Sequence, residues 1–116
     1  MRLMINQVAS TFWAEIAVAG DYDDARRICR QFCETGLCVT VMATSFIYTG
    51  GEERGVLVRL INYPRFPTTD AEITDKALAL AEDLRGGLFQ DSFTVITPKD
   101  TIWVTRREVA EINKAK

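Results

Sequence analysis

The chain has 116 residues, of which 47% are hydrophobic and 26% charged, with a formal net charge of −2. A chain of that length holds one domain with one core, and that composition excludes disorder. The small negative charge excludes a strongly acidic nucleic-acid mimic and has the wrong sign for a general nucleic-acid or membrane binder.

Residues 1–10 read as a lead-in. Asn6, Gln7, Ser10, Thr11 and Glu15 interrupt any apolar stretch at the start, and only Arg2 is basic there, so no signal peptide is expected. No segment reaches the roughly 20 apolar residues of a membrane span. With an odd count of 3 cysteines and no complete disulfide framework, a cytoplasmic setting is expected.

From Thr11 to Ala19 the residues alternate. Phe12, Ala14, Ile16 and Val18 share one face and Trp13, Glu15, Ala17 and Ala19 the other, as in a half-buried strand. Gly20 ends the strand and Asp21 is placed to cap a helix. In that helix Tyr22, Ala25, Ile28, Cys29, Phe32 and Cys33 form an apolar stripe, and Gly36 suits its stop. Leu37 to Ile47 alternates again. A glycine-rich connection over Tyr48 to Arg54 then leads into a strand from Val56 to Tyr63, which Pro64 and Pro67 terminate.

The second helix starts at a T-x-x-E capping box, Thr69 with Glu72. Ile73, Ala77, Leu80, Leu84 and Leu88 are its buried stripe, and Gly86-Gly87 its end. Ser92 to Thr97 reads as a strand, Pro98-Lys99-Asp100 as a turn and Thr101 to Arg106 as a return strand. The tail, residues 107–116, is charged and reads as a frayed end or short helix.

The order strand, helix, strand, strand, helix, strand, with one extra C-terminal hairpin strand, predicts an α+β, ferredoxin-like fold. Right-handed crossovers put both helices on one face of an antiparallel sheet ordered 4-1-3-2. Residues 1–116 are expected to form one such domain.

Chemistry-bearing motifs are few. The stretch "YTGGEERGVLVRLINYPRF", Tyr48 to Phe66, invites two functional readings. A phosphate cradle needs its glycines to open a helix, whereas Gly50-Gly51 run into Glu52 and Glu53. An RNA-reading strand needs aromatic platforms where Val56, Val58 and Ile61 stand, so nucleic acid is not expected. The stretch reads as a hairpin, with Gly50-Gly51 in the turn and Glu52-Glu53 keeping its tip wet.

There is no histidine, Ser45 and Ser92 have no evident base, and the acids between Asp21 and Asp24 suit a helix N-terminus. The pattern C-x3-C-x4-C over Cys29, Cys33 and Cys38 does not match common zinc spacing. No catalytic residue, metal or cofactor is therefore expected. Cys29 and Cys33 should pack beneath the first helix.

What stands out is the uncovered sheet face. Trp13, Glu15, Met42, Leu57, Arg59, Ile61 and Tyr63 converge there, and aromatic, Met and Arg side chains are enriched at interface centres. Tyr48, Arg54, Arg65 and Phe66 are secondary candidates. The reading is a non-enzymatic protein-binding module that also pairs with itself as a homodimer. The alternatives are a dimeric ligand-sensing regulatory domain, which keeps a small-molecule ligand open, and a small isomerase or monooxygenase on a ferredoxin-like dimer.

The segments "FWAEIAVAGDYDDA", "GLCVTV", "YTGGEERG" and "INYPRFP" together resemble small accessory proteins of bacteriophages and plasmids. The resemblance implies a phage or mobile-element protein that binds or inhibits a host or defence component.

Overall fold

The computed structural model describes residues 4 and 7–107. Apart from Arg107, the expected charged tail lies outside the described residues. The elements are β1 (Trp13–Ala19), α1 (Tyr22–Phe32), β2 (Thr40–Tyr48), β3 (Gly51–Ile61), α2 (Asp70–Gly87), β4 (Ser92–Ile96) and β5 (Thr101–Thr105). They form one antiparallel sheet ordered β2-β3-β1-β4-β5, with α1 and α2 packed together on one face. The fold is ferredoxin-like. The expected order 4-1-3-2 holds, and β5 extends the sheet beside β4.

Alternation builds the core. Ala14, Ile16 and Val18 of β1, Val56, Val58 and Leu60 of β3, and Phe93 and Val95 of β4 are buried against the helices. From α2 come Ile73, Ala77, Leu80, Ala81 and Leu84, at three-four spacing and nearly free of solvent. Each large aliphatic side chain buried in this way contributes roughly 1.5–3 kcal/mol.

The helix starts are local. Asp21 accepts from the Asp24 amide at 3.1 Å, and Thr69 from the Glu72 amide at 3.1 Å. Only half of the expected capping box forms, because the Glu72 carboxylate is taken up by the Thr68 hydroxyl. The α1–α2 contact is close because Gly87 has no side chain: a Cβ there would come within 2.5 Å of Ile28.

Three expectations need correction. The hairpin is longer than its sequence suggests: Tyr48 pairs with Gly51, so the turn is Thr49-Gly50, with Gly50 at φ 86°. Gly51 to Arg54 therefore belong to the ladder. The reason is that Gly51 has room for the Tyr48 ring, which lies where a Cβ would be, at 2.7 Å. Second, β2 begins at Thr40 rather than Leu37, because α1 runs on through a 3-10 turn, Cys33–Thr35, closed by Gly36 at φ 105°.

The third concerns the cysteines, which are graded: Cys29 is buried, Cys33 half-buried and Cys38 exposed. Burial pushes the Cys29 thiol up to about 11. Since the thiolate is the reactive form, a maleimide reagent at pH 8 should label Cys38 first and Cys29 only on unfolding. Peptide mapping after timed labelling checks this order, and early labelling of Cys29 contradicts the packing.

Candidate functional site

The face of the sheet away from the helices is a lattice of cross-strand rows. Glu15 stands opposite Arg59, with Ile96 and Thr40 at the flanks. Arg59 Nε approaches Glu15 Oε2 at 3.8 Å, and its guanidinium lies 4.6 Å from the Trp13 ring centroid. Trp13 is itself opposite Ile61. The next row runs Trp103, Thr94, Ala17, Leu57, Met42. The predicted face residues Trp13, Glu15, Met42, Leu57, Arg59 and Ile61 thus share one surface.

Tyr63 lies just past β3, in the turn that Asn62 holds. Asn62 donates to the Ser10 carbonyl at 2.9 Å and accepts from the Thr68 amide at 2.9 Å. Arg65 lies 5.3 Å from the Phe66 ring within the same turn. Tyr48 sits at the hairpin tip on the open face. Arg54 pairs with Ser45, and alternation turns its side chain away from that face.

Sequence reasoning missed a cleft of about 340 Å³ at the other end of this surface. Its floor is low because Ala17 and Ala19 are small and Gly55, opposite Ala19, has no side chain. Its walls are high: Phe46 from β2, Trp103 from β5 and Phe89 from the α2–β4 turn. The Phe46 ring lies over Gly55, where a Cβ would meet it at 2.2 Å. Glu53, opposite Phe46, projects on the same side. Asp91, Ser92, Thr94 and Arg107 are among its further lining residues.

The charges in the cleft differ in their commitments. Asp91 pairs with Arg106 at 3.2 Å and with Arg107 at 3.5 Å. Among the described residues Glu53 makes no salt bridge, so it is the carboxylate left to meet a cationic ligand. The lining mixes aromatic rings with charged, amide and hydroxyl side chains, and the volume lies within the ~300–1,000 Å³ typical of small-molecule pockets.

A larger hollow of about 700 Å³ lies on the helical side, lined by Asp24, Arg27, Arg30 and Glu34. Those are long, solvated side chains of α1, with Arg27 paired to Asp24. Ile28, Gly87 and Phe89 also line the hollow, so Phe89 stands between it and the cleft. Among the described residues no group of three or more His, Cys, Asp or Glu is placed to hold a metal ion, and no helix is long and apolar enough to cross a membrane.

No protein-family model matches the chain, and neither does any curated protein. Among solved structures, the chain is similar to a phage SAM lyase in its apo state, at 21% identity and a TM-score of 0.74, over 92% of this chain and 98% of the other. It is also similar to a phage SAM lyase in complex with S-methyl-5'-thioadenosine, at 20% identity and a TM-score of 0.69, over 92% and 100%. The phage resemblance of the sequence agrees with these likenesses. The expectation of a non-enzymatic binding module does not survive them: the structures matched over nine-tenths of the chain are those of an enzyme. The absence of histidine misled, because it counts against only those reactions that need a neutral-pH base.

Proposed function

We propose that this chain is a lyase acting on S-adenosylmethionine (SAM), with the open-face cleft as its active site. The observation that carries the reading is the cleft itself: aromatic walls for an adenine ring and, among the described residues, a carboxylate outside any salt bridge for a cation, on a fold matched over 92% of the chain by a phage SAM lyase. SAM presents an adenosine, a sulfonium, and an amino acid with ammonium and carboxylate groups.

Release of S-methyl-5'-thioadenosine breaks the bond between sulfur and the γ-carbon of the amino acid. The substrate's own carboxylate oxygen can form the new bond to that carbon, closing a five-membered lactone, while the electron pair of the broken bond goes to sulfur. Sulfonium and carboxylate charges cancel, the ammonium stays charged, no water enters and no proton moves. A chain without histidine can run such a reaction, because no general base is required.

Two things are asked of the protein. One is an orientation that folds the amino-acid arm back on itself, and intramolecular attack of well-placed groups is fast. The other is a poorly solvated site, since a reaction that cancels charge gains when water is withdrawn. Phe46, Phe89 and Trp103 supply apolar walls, and Glu53 is placed to hold the ammonium. A carboxylate at the sulfonium would stabilise the ground state more than the transition state, so the ammonium is the better partner for Glu53. Incubating purified protein with SAM and following thioadenosine by chromatography and mass spectrometry tests the reading. No thioadenosine above the spontaneous rate would overturn it.

A cytoplasmic setting suits this substrate. The other half of the open face, around Glu15, Arg59, Trp13, Met42, Ile61 and Tyr63, is proposed as the contact with a second copy of this chain. Met42, Ile61 and Tyr63 are each about half exposed, and the Glu15–Arg59 pair can fix the register. Arg59→Ala and Trp13→Ala should reduce molar mass by light scattering at micromolar concentration. The separated monomer should lose no more than about 1 kcal/mol from the exposed pair. Unchanged mass in both variants removes this half of the face from the interface.

A further inference from the structure

Phe89 occupies a position that neither backbone nor solvent favours. It is the single described residue other than glycine with positive φ, at 58°, and its side chain is 93% exposed. It follows Leu88, the C-cap of α2, where a helix commonly turns through glycine in the left-handed conformation. Glycine or asparagine would take this backbone at lower cost, and a polar residue would suit the exposure better.

The conformation is held from both sides. The Gln90 amide donates to the Arg85 carbonyl at 2.9 Å, and the Arg85 guanidinium donates back to the Gln90 carbonyl at 3.2 Å. Arg85 is itself oriented by Glu82, to whose carboxylate its Nε donates at 3.0 Å. The turn would be closed by these bonds whatever the side chain at 89. A phenyl ring is nonetheless placed there, on a rim shared by the cleft and the hollow on the helical side.

We propose that Phe89 is the nucleoside-recognition residue of the cleft, an aromatic ring set on the rim by its backbone, on which the adenine of the ligand stacks. The inference rests on the SAM lyase reading and assigns the specificity for the base to this residue. Strained residues held by surrounding bonds mark places where a site is organised before its ligand arrives. An exposed aromatic face is worth most against a flat heterocycle, and stacking does not require the ring to be buried beforehand. Phe89 then determines affinity for the adenosine part and leaves the bond-breaking geometry to the rest of the cleft.

Stability and binding should therefore move in opposite directions. Phe89→Gly is expected to raise Tm, because glycine relieves the left-handed strain. It should weaken S-methyl-5'-thioadenosine binding about tenfold, the effect of losing one base-stacking contact. Phe89→Trp should keep the affinity. In turnover the larger part of the loss should appear in KM. The measurements are thermal melts, calorimetric titration with S-methyl-5'-thioadenosine, and light scattering on wild type and both variants.

Wild-type binding with unchanged affinity in Phe89→Gly overturns the assignment while leaving the lyase reading intact. Lack of binding by the wild type overturns both. A weakened affinity that accompanies a change in molar mass places Phe89 at a contact between copies and overturns its role in base recognition.

Discussion

Glu53→Gln is expected to lower kcat/KM for SAM by about a hundredfold while leaving affinity for S-methyl-5'-thioadenosine unchanged. The loss is of the size that follows when a reacting group is misplaced by about 1 Å. The contrast between the two ligands is the informative part. SAM carries the ammonium that Glu53 is placed to hold, and the thioadenosine lacks it. Glu53 lies on a strand, opposite Phe46, so the substitution removes a charge without disturbing a helix cap or the core. Gln preserves shape while removing the charge and turning one acceptor oxygen into a donor, both of which act against an ammonium. Steady-state turnover and calorimetry give the two values. A variant that loses affinity for both ligands would place Glu53 in a structural role, and one that keeps full turnover would remove it from the site.

Gly55→Val is expected to destabilise the fold by about 2–3 kcal/mol, near the upper end of overpacking substitutions. A Cβ at this position would lie 2.2 Å from the Phe46 ring and 2.7 Å from the Val18 carbonyl oxygen. The ring can swing away, but the carbonyl belongs to β1, to which β3 is paired from Trp13–Ile61 to Ala19–Gly55. In a domain of this size each kcal/mol lowers Tm by roughly 4–8 °C. Removing the ring by Phe46→Ala in the same chain should recover only part of the loss, because the carbonyl contact remains. Thermal melts of the single and double variants check both statements. An unchanged Tm for Gly55→Val would contradict the close packing.

The ferredoxin-like order was legible because its signals are local or strictly periodic. Period-two alternation from Phe12 to Ala19 and from Val56 to Ile61 sets which side chains face the helices, and Glu15 opposite Arg59 follows once β1 and β3 are neighbours. The α2 stripe from Ile73 to Leu88 is likewise read from spacing alone. The cleft was not legible, for two physical reasons. Gly50-Gly51 suggested a wider turn than the Thr49-Gly50 found, and that error assigned Glu53 to a wet tip instead of the open face. The cleft also gathers Phe46, Glu53, Phe89 and Trp103 from four separate parts of the chain, which no spacing rule links. Phe89 gave no warning, since phenylalanine carries no preference for the left-handed turn it occupies.

The far end of the β2–β3 hairpin reaches beyond the cover of the helices. On the helix-facing side of β2, Val41 is half-buried, but Ala43, Ser45 and Ile47 are exposed, with Ile47 at 77%. Phe46 and Glu53 are on that overhanging stretch, so one wall of the cleft belongs to the part of the sheet with least packing to resist local opening. A molecule filling the cleft stabilises the closed hairpin by mass action. Occupancy and the integrity of the hairpin are thereby thermodynamically linked: whatever loosens the overhang must weaken binding, and saturating ligand must slow amide exchange along the outer half of β2.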